Sequence, residues 1–311
     1  MPFYSDFLDS FTKRPQRVVS LVPSLTDTLL HFNLEGAVQG ITDFCPWTSS
    51  LPEPRRVGGT KTPDVDVIRL LQPDLILADR EENEKAVLEA LEREGFDIWL
   101  MYLPSLEDVL AMLGELVRVF QCDEQALQRL RTFENSFRWA SMTADPAAGM
   151  RYFCPIWQGE DVEAGLWWMT FNRQTYCEDL LTLCGGRNCF SARERRYPLQ
   201  ADLGLVEADV AGGRDQRYPR VTADDVVSAA PEIILIPDEP YTFSESDQLR
   251  MLSALRETPA VQHGRISRID GRDLTWNGVR AFRALAVLPA VFQGFESKLP
   301  PGVDVAPGKT E

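Results

Sequence analysis

Apolar runs and amphipathic segments alternate along the first hundred residues. The run RVVSLV at 17–22 reads as a buried strand that Pro23 ends, and Ser24 then reads as the cap of a helix. Strands that alternate with helices form parallel sheets covered by helices. The pattern therefore predicts an α/β lobe over 17–122. Its further strands are predicted at 38–42, 75–78 and 97–101.

Two amphipathic segments then follow each other without a strand between them. Ser105 can cap the first, which runs to about residue 120, and Asp123 can cap the second. The second predicted helix, 123–142, would be about 30 Å long at 1.5 Å per residue. That length is enough to connect one small domain to the next.

The strand-and-helix alternation resumes after the turn-rich segment 143–149 and predicts a second lobe over 143–299. Residues 191–220 are polar and charged, which is typical of a long loop. An N-terminal extension, 1–16, and a tail, 300–311, lie outside the pattern. Strands are predicted at 151–157, 233–236 and 266–269, and helices at 176–184, 222–230, 246–256 and 279–295.

Composition agrees with two soluble domains. The chain has 311 residues, of which 44% are hydrophobic and 25% are charged. A chain of this length usually forms more than one hydrophobic core. No apolar run reaches the roughly 18 residues that a membrane span needs. The formal net charge of −15 argues against nucleic-acid binding, which needs a basic face. It favours a soluble protein, and we expect a monomer.

The N-terminal residues show no apolar segment behind a basic start, so no signal peptide is visible. The six cysteines follow no dense disulfide pattern. Together these features predict a cytoplasmic protein with free thiols. A start site further upstream would instead allow a periplasmic or surface-anchored protein.

Enzyme chemistry and side-chain metal ligation find little support. The only histidines are His31, on the expected core face of a helix, and His263, whereas zinc sites need clustered ligands. Phosphate-loop, dinucleotide, serine-hydrolase and zinc-protease motifs are absent from the sequence. We therefore predict a binding protein with no catalytic residues, no metal-ligating side chains and no covalent cofactor.

Several short motifs, in this order and spacing, resemble one known family. They are RVVSLVPSLTDT from Arg17, VGGT from Val57, LQPDLILAD from Leu71, DLLTLCGGRN from Asp179 and WNGVR from Trp276. The resemblance is to class III substrate-binding proteins, the helical-backbone receptors of ABC transporters for vitamin B12, iron-siderophores and haem. It covers about residues 17–295.

That resemblance implies two Rossmann-like α/β lobes, a single long helix joining them, and a ligand cleft between the lobes. It implies a metal chelate as ligand: cobalamin or another corrinoid, a ferric siderophore, or a haem-like compound. It also implies docking on an ABC permease through one acidic residue on each lobe. Asp66 and Asp224 occupy those positions here.

The resemblance also places candidate ligand-binding residues. Aromatic side chains supply flat apolar area, and a few charges fix the orientation of a ligand. Thr60 stands where B12 receptors carry a groove aromatic, which weakens the expectation for cobalamin. The candidates are Trp47, Lys61, Arg80, Trp167, Trp168, Tyr218, Asp273, Trp276 and Arg280.

Each candidate also has a structural interpretation. Trp167 and Trp168 are adjacent on an expected loop, and only one of them can face a core if the segment is extended. An alternative hypothesis for the whole protein is a cytoplasmic relative that does not serve transport. Such a protein would act as a cofactor buffer, a sensor or a partner-binding module.

Overall fold

A computed structural model describes residues 13–293. The chain divides into two compact units. Unit 1 contains the described residues up to Arg138 together with Trp276–Phe282, and unit 2 contains Trp139–Thr275 and the described residues from Arg283 onward. The segment Trp276–Phe282, which the sequence pattern assigns to the second lobe, therefore packs within unit 1.

Unit 1 contains a five-stranded, wholly parallel sheet in the order β3-β2-β1-β4-β5. Its core joins β1 and β4 to apolar faces of α2 and α3, as the alternation predicts. The elements are β1 (Val18–Ser20), α1 (Pro23–His31), β2 (Val38–Ile41), β3 (Arg55–Arg56), α2 (Val65–Leu71), β4 (Leu75–Asp79), α3 (Lys85–Arg93), β5 (Ile98–Met101), α4 (Leu106–Val119) and α5 (Glu124–Thr143).

The start of α1 differs from the prediction. Pro23 is the first helical residue and Val22 precedes it without a side-chain cap, so Ser24 lies inside the helix and is buried. Proline is favoured at this position because the first helical N–H has no partner within the helix. His31, at the end of α1, is exposed rather than on the core face.

Two predicted caps are confirmed in α4 and α5. Ser105 accepts from the backbone N–H of Asp108, and Asp123 accepts from that of Ala126. Helix α5 has 20 residues, about 30 Å at 1.5 Å per residue. The division between the two units falls within this helix.

Unit 2 contains a parallel sheet, β12-β11-β6-β9, and a small antiparallel sheet, β10-β8-β7. Its elements are β6 (Met150–Phe153), β7 (Trp157–Asp161), β8 (Gly165–Met169), α6 (Tyr176–Leu183), β9 (Gly186–Asn188), α7 (Leu199–Asp202), β10 (Arg220–Thr222), α8 (Ala223–Ala229), β11 (Ile233–Pro237), α9 (Glu245–Ala254), α10 (Pro259–Gln262), β12 (Ile266–Ile269), α11 (Gly271–Thr275) and α13 (Pro289–Gln293). Helix α12 (Arg280–Val287) begins in unit 1 and ends in unit 2.

Two predicted segments of unit 2 are wrong in detail. The segment with Trp167 and Trp168 is strand β8 rather than a loop. The predicted closing helix over 279–295 is two helices, α12 and α13, and Pro289 begins the second because it cannot donate to the preceding turn. Residues 294–295 lie outside the described part. Among residues 13–293, no helix combines the length and apolarity of a membrane span.

Candidate functional site

The carboxyl ends of the parallel strands in unit 1 meet at one edge of the sheet. Ligands of open parallel α/β sheets bind beyond this edge. Phe44 follows β2 there, Arg80 follows β4 and Tyr102 follows β5. This edge is the candidate ligand surface of unit 1.

Aromatic and cationic groups are exposed along this edge. Phe44 is 68% exposed and lies beside Gly59. The Arg80 guanidinium stands 5.0 Å from the centre of the Tyr102 ring. The Lys61 ammonium donates to the backbone oxygen of Glu81 at 2.6 Å. The fold shows that Phe44 is exposed at a strand end.

A buried amide holds the loops of this edge together. The Asn83 side chain donates to the backbone oxygens of Leu21, at 3.2 Å, and of Thr60, at 2.9 Å. It also accepts from the backbone N–H of Asp79 at 2.9 Å. Burial raises the pKa of Asp79 to about 7, so near neutral pH this carboxyl group carries only part of its charge. Trp47 is half-buried and donates its indole N–H to the oxygen of Leu51.

The segment Trp276–Phe282 adds further groups to unit 1. The backbone N–H of Val279 donates to the Thr28 hydroxyl at 3.1 Å. Arg280 forms an ion pair with Asp27 at 2.9 Å, and its guanidinium stands 5.7 Å from the Trp276 ring. Two sequence-predicted residues, Trp276 and Arg280, are thereby placed together beside α1.

Unit 2 has an open cavity of about 480 Å³ at the carboxyl ends of β11 and β12. The Arg268 guanidinium donates twice to the side-chain oxygen of Gln248, at 3.1 and 2.7 Å. Gln248 is buried and is itself held by the backbone oxygen of Phe243. The cavity is lined by Ile236, Pro237, Asp238, Thr242, Phe243, Gln248, Arg268, Ile269 and Asp270.

A row of aromatic rings leads from this cavity to the surface of unit 2. Phe243 contacts Tyr241 at 4.8 Å between ring centres, and Tyr241 contacts Trp157 at 5.0 Å. Trp157 is 46% exposed. None of the cavity or row residues was predicted from the sequence. The signal for Trp157 was its place at the end of an apolar run, but Tyr241 joins it only through the fold.

The alternation of β8 separates its two tryptophans. Trp168 is fully buried in the core of unit 2 and donates to the Gln158 side chain at 2.8 Å. Trp167 points to the other face, where its ring covers Gly159 so closely that a Cβ there would clash. The prediction that Trp168 binds ligand is therefore wrong, because the inward face of β8 belongs to the core.

The other predicted residues of unit 2 lie in different settings. Tyr218 is half-buried, with the Arg217 guanidinium 5.4 Å from its ring centre. Asp273 is buried and stands 3.5 Å from Arg283, and its ligand contact stays a prediction. A buried carboxylate needs a paired charge, and Arg283 supplies it.

The two predicted docking residues occupy equivalent places in the two units. Asp66 lies in the first turn of α2 and Asp224 in the first turn of α8, and both are exposed. Asp66 also pairs with Arg69 one turn further along. Acidic residues are favoured in a first helical turn by the helix dipole.

Within residues 13–293, no group of three or more His, Cys, Asp or Glu side chains is arranged to hold a metal ion. The polar groups at both sheet edges are instead cations, amides and single carboxylates. Together with the exposed aromatic rings, these groups suit a flat, partly polar ligand bound as a whole. Two α/β units that each present a strand-end surface define the class as a two-lobed binding protein.

The model of the periplasmic binding protein family matches residues 18–272. The chain belongs to that family. The expected fold, two α/β lobes with parallel sheets, is confirmed by structures such as the periplasmic vitamin B12 binding protein BtuF of Vibrio cholerae. That protein is 19% identical, with a TM-score of 0.65 over 90% of this chain and 97% of its own.

Curated relatives carry a consistent name. The vitamin B12-binding protein of Pectobacterium carotovorum is 26% identical over 234 residues, 73% of this chain and 72% of its own. That of Vibrio vulnificus is 25% identical over 183 residues, and this chain spans 64% of its length. The apo periplasmic heme-binding protein RhuT from Roseiflexus has a TM-score of 0.67 at 18% identity over 89% of this chain and 97% of its own. At that identity the structural likeness carries the fold alone.

Proposed function

We propose that this protein binds a metal chelate of the corrinoid, ferric-siderophore or haem class and releases it unchanged. The family match over residues 18–272 carries the proposal. The names of the curated relatives and the aromatic and cationic groups at both strand-end surfaces support it. Binding without turnover agrees with the absence of a catalytic motif from the sequence.

The chemistry of the two surfaces suits a bulky chelate. Phe44 and Trp276 in unit 1, and Trp157 and Tyr241 in unit 2, offer flat apolar area at low entropic cost. Cations beside these rings can meet peripheral carboxylates or catecholates. No metal-ligating cluster is required, because a chelate brings its own ligands.

The test is tryptophan fluorescence quenching and visible absorption of the purified protein with cyanocobalamin, haem and ferric siderophores. The chain has seven tryptophans, and we expect saturable quenching by one ligand class at micromolar concentration or below. W157A should weaken that binding about tenfold or more if its ring stacks on the ligand. W139A, which removes an exposed tryptophan from α5, is the matched control. Indifference to the whole panel would overturn the proposal.

We further propose that the loaded protein delivers its ligand to an ABC permease through Asp66 and Asp224. Both carboxylates are exposed in the first turn of a helix, one in each unit. The variants D66R and D224R should keep the ligand affinity of the wild type but lose ligand uptake by cells. D145R, at an exposed turn outside both helices, serves as the control. Uptake that survives both substitutions would contradict delivery by this route.

Cell location bears directly on delivery. The cytoplasmic location expected from the sequence stays a prediction, and fractionation of the native cells tests it. Recovery in the periplasm or on the membrane surface would support delivery to a permease. Recovery in the cytoplasm would contradict it and favour a buffer or sensor of the same ligand.

A further inference from the structure

The segment 191–220 of unit 2, which the sequence marks only as a long loop, is rich in arginine. It holds six arginines against five acidic residues, whereas the chain as a whole carries a formal net charge of −15. Arg195 and Arg214 lie against the ring of one shared tyrosine, and the charge of Arg195 acts on Arg220. Arg193 donates to the backbone oxygen of Asp202.

A buried carboxylate ties the two ends of this segment together. Asp202 accepts from the backbone N–H of Arg196 at 2.9 Å and from that of Arg220 at 2.8 Å. The backbone of Arg195 is also paired with that of Gln216, at 3.0 Å. These contacts bring the side chains of Arg195 and Arg220 close to each other, although 25 residues separate them along the chain.

The two guanidiniums are electrostatically unfavourable neighbours. Burial and then the charge of Arg195 lower the pKa of Arg220, and the Arg220 side chain is only 13% exposed. Asp202 offers weak compensation, because its nearest oxygen is 3.9 Å from the Arg220 guanidinium and already accepts a backbone N–H. The Asp215 carboxylate interacts electrostatically with Arg195, but its ion pair is with Arg217, at 2.7 Å.

Hydrogen bonding gives a second, independent sign. The Nε atoms of Arg193, Arg195 and Arg220 are buried and have no hydrogen-bond partner. A buried donor that lacks an acceptor destabilises the fold, and more so when it is charged. Three such donors leave this segment short of hydrogen-bond acceptors.

The arginines are also held in place. The Arg195 and Arg214 guanidiniums stand 4.4 and 4.2 Å from the centre of the Tyr197 ring. The Tyr197 hydroxyl donates to the backbone oxygen of Asp215. A guanidinium fixed by stacking loses little entropy when it binds an anion in the two-pronged geometry that arginine prefers.

We propose that Arg195 and Arg220, together with Arg193, which also contacts Asp202, form an oxyanion site that binds a carboxylate at the periphery of the ligand. The register of the small sheet supports this role. Arg220 pairs with Met169, and Met169 pairs with Trp157, so the three side chains emerge on one face. Arg220 therefore lies about 10 Å, two strand spacings, from the exposed ring at the end of the aromatic row.

This inference rests on the proposed function only for the source of the carboxylate. Inorganic phosphate offers the same kind of oxygen acceptor, so it probes the site without any chelate. An anionic chelate such as haem, with two propionates, should therefore be preferred over its dimethyl ester, which keeps the flat ring and loses both charges.

The first experiment uses inorganic phosphate as the probe and follows thermal unfolding against sodium chloride at matched ionic strength. We expect phosphate to raise the unfolding midpoint of the wild type and to bind R195Q at least about tenfold more weakly, as for the loss of a charged hydrogen-bonding group. R256Q removes an equal charge from an exposed position of the same unit and should behave like the wild type. R220K keeps the charge but removes the guanidinium, and it should also lose phosphate binding.

The second experiment compares haem with haem dimethyl ester by fluorescence quenching of the same four proteins. A preference for haem that disappears in R195Q and R220K supports the oxyanion site. Equal binding of haem and ester by all variants, without a phosphate effect, would overturn this inference and leave chelate binding intact. A phosphate effect without binding of any chelate would leave the oxyanion site standing and defeat the proposed function.

Discussion

At the scale of single residues, burial and hydrogen bonding shift the pKa values of two aspartates in opposite directions. Asp79 ends β4 in unit 1, and burial, together with the charges of Glu81 and Glu82, raises its pKa to about 7. One of its oxygens is buried without a hydrogen-bond partner. Asp161 is exposed, and the backbone N–H groups of Ala164 and Glu163 lower its pKa.

The raised pKa of Asp79 predicts stability that falls as pH rises. In the unfolded chain this carboxyl group loses its proton near pH 4, whereas the folded protein keeps it until about pH 7. Between these values the free energy of unfolding falls as pH rises, by about 1.4 kcal/mol per pH unit and by a few kcal/mol in total. The D79N variant removes this penalty, so its advantage over the wild type should grow from pH 5 to pH 8.

Urea unfolding across that pH range measures the effect. D161N is the comparison of opposite sign, because a carboxylate with a lowered pKa stabilises the fold at neutral pH. D161N should therefore lose stability where D79N gains it. A constant difference between D79N and the wild type at all pH values would contradict the assignment.

At the scale of elements, the segment Trp276–Phe282 shows how distant parts of the chain are joined within unit 1. Thr28 is fully buried and its hydroxyl accepts from the backbone N–H of Val279, 251 residues away. Gly278, with φ of 126°, brings the backbone so close to Thr28 that a Cβ would lie 2.5 Å from its hydroxyl. Phe282 then packs on Phe133 of α5, with ring centres 3.8 Å apart.

The T28V variant tests this junction. Valine keeps the shape of threonine and removes the acceptor, leaving the Val279 N–H buried and unpaired. We expect a loss of about 1–3 kcal/mol in the free energy of unfolding. T132V, which removes an exposed hydroxyl from α5, should change stability by less than about 0.5 kcal/mol. Equal effects of the two variants would show that the junction contributes nothing specific.

At the scale of the whole molecule, a binding protein should be stabilised by its ligand and should leave it intact. A ligand that binds only the folded state adds about 2.7 kcal/mol at one hundred times its dissociation constant. The chelate that quenches tryptophan fluorescence should therefore raise the unfolding temperature in proportion to the logarithm of its concentration. After denaturation, mass spectrometry should recover the chelate unchanged. A modified chelate would indicate turnover and contradict the proposed function.

Local signals accounted for much of the fold. The caps at Ser105 and Asp123 were readable because a capping side chain and the N–H it accepts from are three residues apart. The continuous apolar run 75–78 marked β4, because a strand buried on both faces shows no alternation of apolar and polar residues. This signal also lies within a few neighbouring residues. At α1 the prediction from local signals failed, because Pro23 also suits the first helical position and the helix begins there, which leaves Ser24 inside it.

The candidate residues of the two surfaces also differ in whether local sequence signals or only the fold identified them. The family motifs marked Lys61, Arg80 and Trp276 as candidates, but no local pattern shows which of the two tryptophans of β8 faces the core. The row from Trp157 to Phe243 and the Arg195–Arg220 pair join residues that are 25 to 86 positions apart along the chain.

By itself, the sequence determined the alternation of strands and helices, the long helix α5 and membership of a binding-protein family, because these depend on local periodicity and motif order. Only the tertiary structure decided which face of each strand is buried and which distant charges and rings meet. Those outcomes depend on packing between segments that are far apart in the chain. The chemistry of both surfaces, including the paired arginines, therefore became visible only in the folded protein.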